Sequence, residues 1–206
     1  PPTNSSEVEI TLDYGQAEGG TITPTNDYLV TYDYKTNGGT SSTSQSEYLS
    51  EGSKIDLSYT ATKAGWTFAG WNTNKDATTG LTSLEMKNAD VTLYAIYRKE
   101  AVTLTAKFNG NGATLSSTSN LTCTLPAVYN NASQQASCNV SAPSITRSGY
   151  NIIGYNTASG STMNNSSYNT STKALTLTSS NNNSTWYAIT SKVVTITFNK
   201  NGASTQ

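Results

Sequence analysis

The cysteine pair is the feature of this sequence with the clearest chemistry. Cys123 and Cys138 are the only cysteines in the chain. In an exported protein such a pair is expected to form a disulfide that closes the loop between them, and a loop of this length would be stabilised by roughly 3 kcal/mol. Two free thiols are the alternative. No metal site is expected at the cysteines, because the sequence contains no histidine.

A second pattern imitates a calcium-binding loop. Asn72, Asn74 and Asp76 follow its one-three-five spacing of oxygen ligands. Position six is Ala77 instead of glycine, and no glutamate closes the loop, so we interpret the stretch as a solvated turn. The sequence shows no nucleophile–base pair, phosphate-binding loop, paired carboxylates or basic stripe. It therefore predicts a protein that is not an enzyme and needs no cofactor.

Composition indicates a folded chain with a polar surface. The 206 residues carry a net charge of −1, which gives no reason to expect binding to nucleic acid or to an anionic membrane. Ser, Thr and Asn are abundant, yet 13 tyrosines and three tryptophans argue against disorder. We expect an extracellular β-rich protein. The opening "PPTNSSEVEI" looks like the interior of a longer chain, so the sequence is expected to be part of a larger anchored protein.

Three sequence landmarks recur in the same order. The first is an alternating strand that runs into Asn-Gly, the second is an aromatic pair spaced by glycines ("GWTFAGW" and "GYNIIGY"), and the third is "VTLYAIY", answered by "STWYAIT". The copies lie at 31–40, 105–114 and 195–204 for the first landmark, 64–73 and 148–157 for the second, and 91–97 and 184–190 for the third.

The landmarks divide the chain into repeat modules. A first module is predicted over 26–100 and a second, with a cysteine-containing insertion, over 101–191. Residues 192–206 would be the first strand of a truncated third repeat. Residues 1–25 are either a degenerate repeat start or an extra strand of the first module. Alternation predicts mostly β structure, with a short helix around 80–90 on a loose face of Leu81, Leu84 and Met86.

The motifs "TYDYKTNGGT", "KAGWTFAGWNT" and "ADVTLYAIYRK" resemble the bacterial Listeria–Bacteroides repeat, also called the internalin B-repeat. This resemblance covers about three-quarters of the chain. It implies tandem, small β-grasp-like (α+β) modules arranged as beads on a string, in proteins at the bacterial cell surface. Such modules act as spacers or stalks and sometimes as adhesive elements. The second module departs from the pattern through the insertion "TSNLTCTLPAVYNNASQQASC".

The aromatic residues of the landmarks are expected to build the core, because a module this small needs a few large side chains to bury enough apolar area. Trp66 and Phe68 would share one face of a strand and Trp71 the other, unless a bulge at Gly70 rotates it. A carbohydrate-stacking platform is the alternative for these aromatics. The predicted core residues are Trp66, Phe68, Trp71, Tyr94, Tyr150, Ile152, Tyr155 and Tyr187.

Three roles remain open at this point. A non-catalytic stalk or spacer is the first hypothesis. The second is an adhesive module that binds a glycan or a host or cell-surface protein through exposed tyrosines outside the landmarks: Tyr28, Tyr48, Tyr129 and Tyr168. The third is self-association, because the C-terminal strand "VVTITF" is expected to pair with the sheet of the second module or of a neighbouring chain.

Overall fold

The structure, a computed structural model, describes residues 26–40 and 45–198 and is built from strands. The mostly β prediction is confirmed. The strands of the first module are β1 (Asp27–Asp33), β2 (Gln45–Ser50), β3 (Thr67–Asn72) and β4 (Val91–Lys99). Those of the second are β5 (Val102–Asn109), β6 (Thr114–Leu115), β7 (Leu121–Leu125), β8 (Val128–Tyr129), β9 (Ser137–Ser141), β10 (Ile145–Thr146), β11 (Tyr150–Asn156), β12 (Ala174–Thr178) and β13 (Thr185–Lys192).

The main sheets of the two modules have the same strand order. The first runs β2-β1-β4-β3, and the second runs β7-β5-β13-β11. In each, the two central strands are parallel and the outer pairs are antiparallel. The second module adds two small sheets, β10-β6 and β12-β9. The shared order means that the repeated landmarks occupy equivalent places in the two modules.

Strand alternation places one face of each sheet in a core. In β4 the inward side chains are Leu93, Ala95 and Tyr97, all fully buried, and in β5 they are Leu104, Ala106 and Phe108. Each module has its own cluster of buried residues. The disulfide partners pack against the second cluster, so that core is closed by a covalent bond as well as by apolar contact.

A bulge interrupts the aromatic landmark in both modules. The register of β3 against β4 shifts between Phe68 and Gly70, and that of β11 against β13 shifts between Ile152 and Gly154. Both glycines have positive φ, at 109° and 139°, which a residue with a side chain rarely adopts. The bulge brings Trp71 into contact with Phe68, with ring centroids 5.5 Å apart.

The helix predicted around 80–90 is wrong, since no helix occurs in the described residues. Its backbone groups bond to distant segments instead of to the preceding turn: Leu81 N–H donates to Trp71 O at 2.7 Å, and Met86 N–H donates to Ser53 O at 2.8 Å. Met86 is buried through these contacts. The described residues accordingly contain no helix that could cross a membrane.

The independent-bead arrangement is not confirmed, because β8 belongs to the second module by sequence but pairs with β4 of the first. The predicted pairing of "VVTITF" with the second module is also absent. Val193 N–H donates to Gly149 O at 3.0 Å, and the described residues 194–198 form no strand. The hypotheses for residues 1–25 and 199–206 lie outside the described residues.

Candidate functional site at the junction between the modules

A loop of the second module reaches back to the first. We call residues 126–136, between β7 and β9, the docking arm. The corresponding stretch of the first module, after β2, is the short turn Glu51–Ser53, in which Ser53 N–H donates to Ser50 O. A disulfide between Cys123 and Cys138 joins the two strands that carry the arm, with an S–S distance of 2.07 Å and a Cα–Cα distance of 6.0 Å.

Asn130 lies at the tip of the arm and is 8% exposed. Its backbone N–H donates to Tyr97 O at 2.8 Å, and its side-chain Oδ1 accepts from Tyr97 N–H at 3.1 Å. Its Nδ2 donates to Lys75 O and to Ala77 O, each at 3.0 Å. One side chain thus continues the hydrogen bonding of β4 and closes the loop that follows β3.

The left-handed backbone at Asn130, with φ of 56°, turns the arm sharply enough to present this side chain. Asparagine tolerates that region better than most residues. Just before it, Val128 and Tyr129 pair antiparallel with Lys99 and Arg98. The arm therefore adds a short strand to the first sheet and then places a bonded amide beyond it.

Lys63 is the cationic contact of the junction. Its Nζ donates to Asn37 O at 2.9 Å and to Asn130 O, lies 3.3 Å from Asn131 Oδ1, and sits 4.0 Å from the centroid of the Trp66 ring. Burial lowers the pKa of Lys63. Carbonyl oxygens and an aromatic face both favour the charged ammonium, so these contacts oppose the effect of burial.

Two outer contacts complete the junction. Asn131 Nδ2 donates to Thr36 O at 2.9 Å, and Gln134 Nε2 donates to Glu100 O at 2.7 Å. The second bond ties the arm to the linker between β4 and β5. A cleft of about 550 Å³ remains between the arm and the first module, beside the exposed Lys75–Asp76 ion pair.

The asparagine of the Asn-Gly landmark helps to form the surface of the first module that the arm contacts. Asn37 is buried, and its Nδ2 donates to Lys75 O and Ala95 O, each at 2.9 Å. Lys75 O thus accepts from both Asn37 and Asn130. The repeated asparagine therefore does more than favour a turn, because its amide ties the opening strand to the closing strand and to the loop after β3.

The predicted core residues differ in how deeply they are buried. Trp71 and Tyr155 are buried, and Trp66, Phe68, Tyr94, Tyr150 and Tyr187 are half-buried. The assignment of Ile152 to the core is wrong, because its side chain is 41% exposed on the outer face of β11. In the closing landmark the fully buried residue is Trp186, the neighbour of Tyr187, since its position matches the inward-facing Leu93 of β4.

The four tyrosines proposed as ligand contacts do not form one exposed group. Tyr48 is exposed, Tyr28 is half-buried against the first core, and Tyr129 is half-buried in β8. The assignment of Tyr168 as an exposed contact is wrong, because its ring is buried edge-to-face against Tyr155 at 5.3 Å between centroids. No group of three metal-ligating side chains occurs in the described part of the chain.

The residues that join the modules were not predicted from the sequence. The signal was the "YNN" triplet of the insertion, which has no counterpart in the first module and places asparagines at a turn. Lys63, Tyr97 and Asn130 are far apart in sequence and follow no shared period. Only the fold brings them together.

These observations define a tandem of two β modules, each closed by a bulged aromatic strand and joined by a docking arm. The sequence model of the Listeria-Bacteroides repeat domain matches residues 28–96. The resemblance found in the sequence is therefore confirmed for the part of the first module that this model covers. This family is typical of extracellular bacterial surface proteins and is generally non-catalytic. Searches of curated proteins and of solved structures find no match to the chain.

Proposed function

We propose that these modules act as a non-catalytic spacer in an extracellular bacterial surface protein, and that the docking arm fixes the angle between neighbouring modules. The observation that carries the proposal is Asn130, whose buried amide and backbone N–H make four hydrogen bonds with the first module. A buried polar group held this way resists separation, because pulling it out would leave several partners unsatisfied at once.

A fixed angle matters for a spacer. Two domains joined by a flexible linker sample many orientations, so their average reach is shorter than that of a stiff pair. Here the linker between β4 and β5 consists of Glu100 and Ala101, and Gln134 bonds to it from the arm. A mechanical role for the tandem follows from the linker and the arm acting together.

An adhesive role has less support. Aromatic recognition of a glycan or of a host protein favours a contiguous exposed patch. Among the described aromatic side chains, Tyr48 and Phe198 are the strongly exposed ones, and Tyr48 belongs to β2 of the first module whereas Phe198 follows β13 of the second. We therefore assign no ligand-binding role to the described aromatic side chains.

The proposal is tested by small-angle X-ray scattering on the chain and on a variant in which residues 126–136 are replaced by the Glu-Gly-Ser turn of the first module. A spacer predicts profiles independent of concentration, with a narrower distribution of shapes in the parent chain than in the variant. Particle mass that grows with concentration would favour self-association through residues 193–198. Equal breadth for the two proteins would overturn the role of the arm.

A further inference from the structure

The second module carries the same surface that the arm occupies on the first. Asn111 Nδ2 donates to Ser159 O at 2.8 Å and to Ala188 O at 3.2 Å. These acceptors are equivalent in the repeat to Lys75 O and Ala95 O, which accept from Asn37. The asparagine that prepares the receiving surface is therefore present and bonded in the same way.

The cation is repeated as well. Arg147 stacks on Tyr150 with its Cζ 3.8 Å from the ring centroid, as Lys63 stacks on Trp66. Each cation borders the glycine that follows the landmark asparagine, Gly112 or Gly38, and both glycines have φ near 80°. Arg147 Nη1 donates to Thr190 Oγ1 at 3.0 Å. The other N–H groups of Arg147 can donate to the carbonyl oxygens of a turn that binds beside it.

The strand edge beside this cation is open in the described chain. On the first module, β8 pairs with β4 at Arg98 and Lys99. On the second, β5 pairs with β13 over Thr185–Tyr187, and no described strand pairs with that edge beyond Tyr187. A cleft of about 430 Å³ borders Arg147 and is lined also by Gly112, Thr114, Thr146 and Ser148.

We propose that this surface, which we call the acceptor face (Asn111, Gly112, Arg147 and Thr190), binds an asparagine-bearing turn of another repeat module. The turn's amide would pair with the backbone of Thr190 as Asn130 pairs with Tyr97, and Arg147 would donate to the turn's carbonyl oxygens. This inference goes beyond the spacer role, because it assigns an interaction surface whose existence does not depend on what the whole protein does.

The segment after β13 supports a repeat module as the occupant. Val194, Ile196 and Phe198 are 73%, 72% and 90% exposed. By sequence they match the inward residues of β5, Leu104, Ala106 and Phe108, which are buried in the second module. The chain thus continues from the acceptor face with an opening-strand pattern. A further module built on that pattern would lie beside the face, as the second module lies beside the first.

The test uses the oxidised peptide of residues 123–138, in which the native disulfide closes the arm, titrated into the ¹⁵N-labelled full chain. We expect saturable chemical-shift changes at the Gly112 and Thr190 amides, with a dissociation constant on the order of 1 mM. An arm tethered within the chain binds at an effective concentration of about that size, which the free peptide must reach by its own concentration. The first module holds its own arm, so its Tyr97 amide should shift little.

Two controls make the result decisive. A peptide with Asn130→Gly and Asn131→Ala should bind at least about tenfold more weakly, because it lacks the amides but keeps the loop. Arg147→Ala in the full chain should weaken binding of the native peptide about tenfold, the loss expected for one charged hydrogen-bonding group. Shifts that do not saturate, fall outside the acceptor face, or are equal for both peptides would overturn the proposal.

Discussion

The substitution Asn130→Gly isolates the energy of the docking arm. Glycine adopts a φ of 56° without strain, so the change removes the side chain and leaves the turn intact. Three side-chain hydrogen bonds are lost, two donated to Lys75 O and Ala77 O and one accepted from Tyr97 N–H. At about 1 kcal/mol each, the junction loses about 3 kcal/mol.

Hydrogen exchange at the Tyr97 amide reports this loss directly, because that N–H is bonded to Asn130 Oδ1. Since 1.4 kcal/mol corresponds to a tenfold change, the amide is expected to exchange about a hundredfold faster in the variant. Amides in the middle of β5 and β13 should keep their rates. Their protection depends on the second core and not on the arm.

Asn183→Gly is the matched control. Asn183 also has a left-handed backbone, with φ of 61°, but its side chain is exposed. The substitution Asn183→Gly makes the same chemical change as Asn130→Gly and changes the entropy of the unfolded chain in the same way. Exchange of the Tyr97 amide in Asn130→Gly within about threefold of the unmodified chain, or an equal acceleration by Asn183→Gly, would contradict the role assigned to the Asn130 side chain.

Three further predictions concern the disulfide, the bulge and the buried tyrosines. Replacing both Cys123 and Cys138 by serine should destabilise the second module by about 3 kcal/mol in urea unfolding. It should also accelerate hydrogen exchange at the Tyr97 amide, because the disulfide no longer closes the base of the arm. Unchanged exchange would show that the arm stays bound without the disulfide. Gly70→Ala should lower the free energy of unfolding by at least about 2 kcal/mol more than Gly65→Ala does. Both glycines have positive φ, but only at Gly70 would the new Cβ meet backbone, 2.9 Å from Gly80 Cα. Equal losses of stability in the two variants would contradict this clash. Burial raises the pKa of Tyr97 to about 12 from 10.0. The folded-state pKa exceeds the unfolded one, so this contribution, about 3 kcal/mol, is complete below pH 10 and lost as pH rises to 12. The free energy of unfolding should therefore fall between pH 10 and 12, and titration of Tyr97 in the folded protein with a midpoint near pH 10 would contradict this.

Local sequence signals predicted the repeated parts of the fold. Residues only a few positions apart determine the alternation of β1, β4 and β5 and the turns at the Asn-Gly landmarks. These features can therefore be predicted from a short stretch of sequence. The bulge also has a local cause, because Gly70 and Gly154 supply the positive φ that it requires. The first two copies of the first landmark therefore lie at β1 and β5 as predicted, and the bulge at Gly70, which the sequence left open, is present.

The errors arise where distant contacts decide. Residues 80–90 form no helix because their hydrogen bonds go to Ala69, Trp71 and the 53–55 segment. Trp186 replaced Tyr187 as the buried residue because pairing with β5 and β11 fixes which face of β13 points inward, and alternation alone leaves that choice open. The docking arm was not predicted for the same reason, since Asn130 and Tyr97 are 33 residues apart in sequence and are brought together by the fold.

If the arm holds the two modules as one rigid unit, as we propose, the residual dipolar couplings of the backbone amides in both modules should fit a single alignment tensor in the unmodified chain. Replacing residues 126–136 by Glu-Gly-Ser should give two different tensors. Separate tensors in the parent chain, each fitting one module well, would contradict the claim.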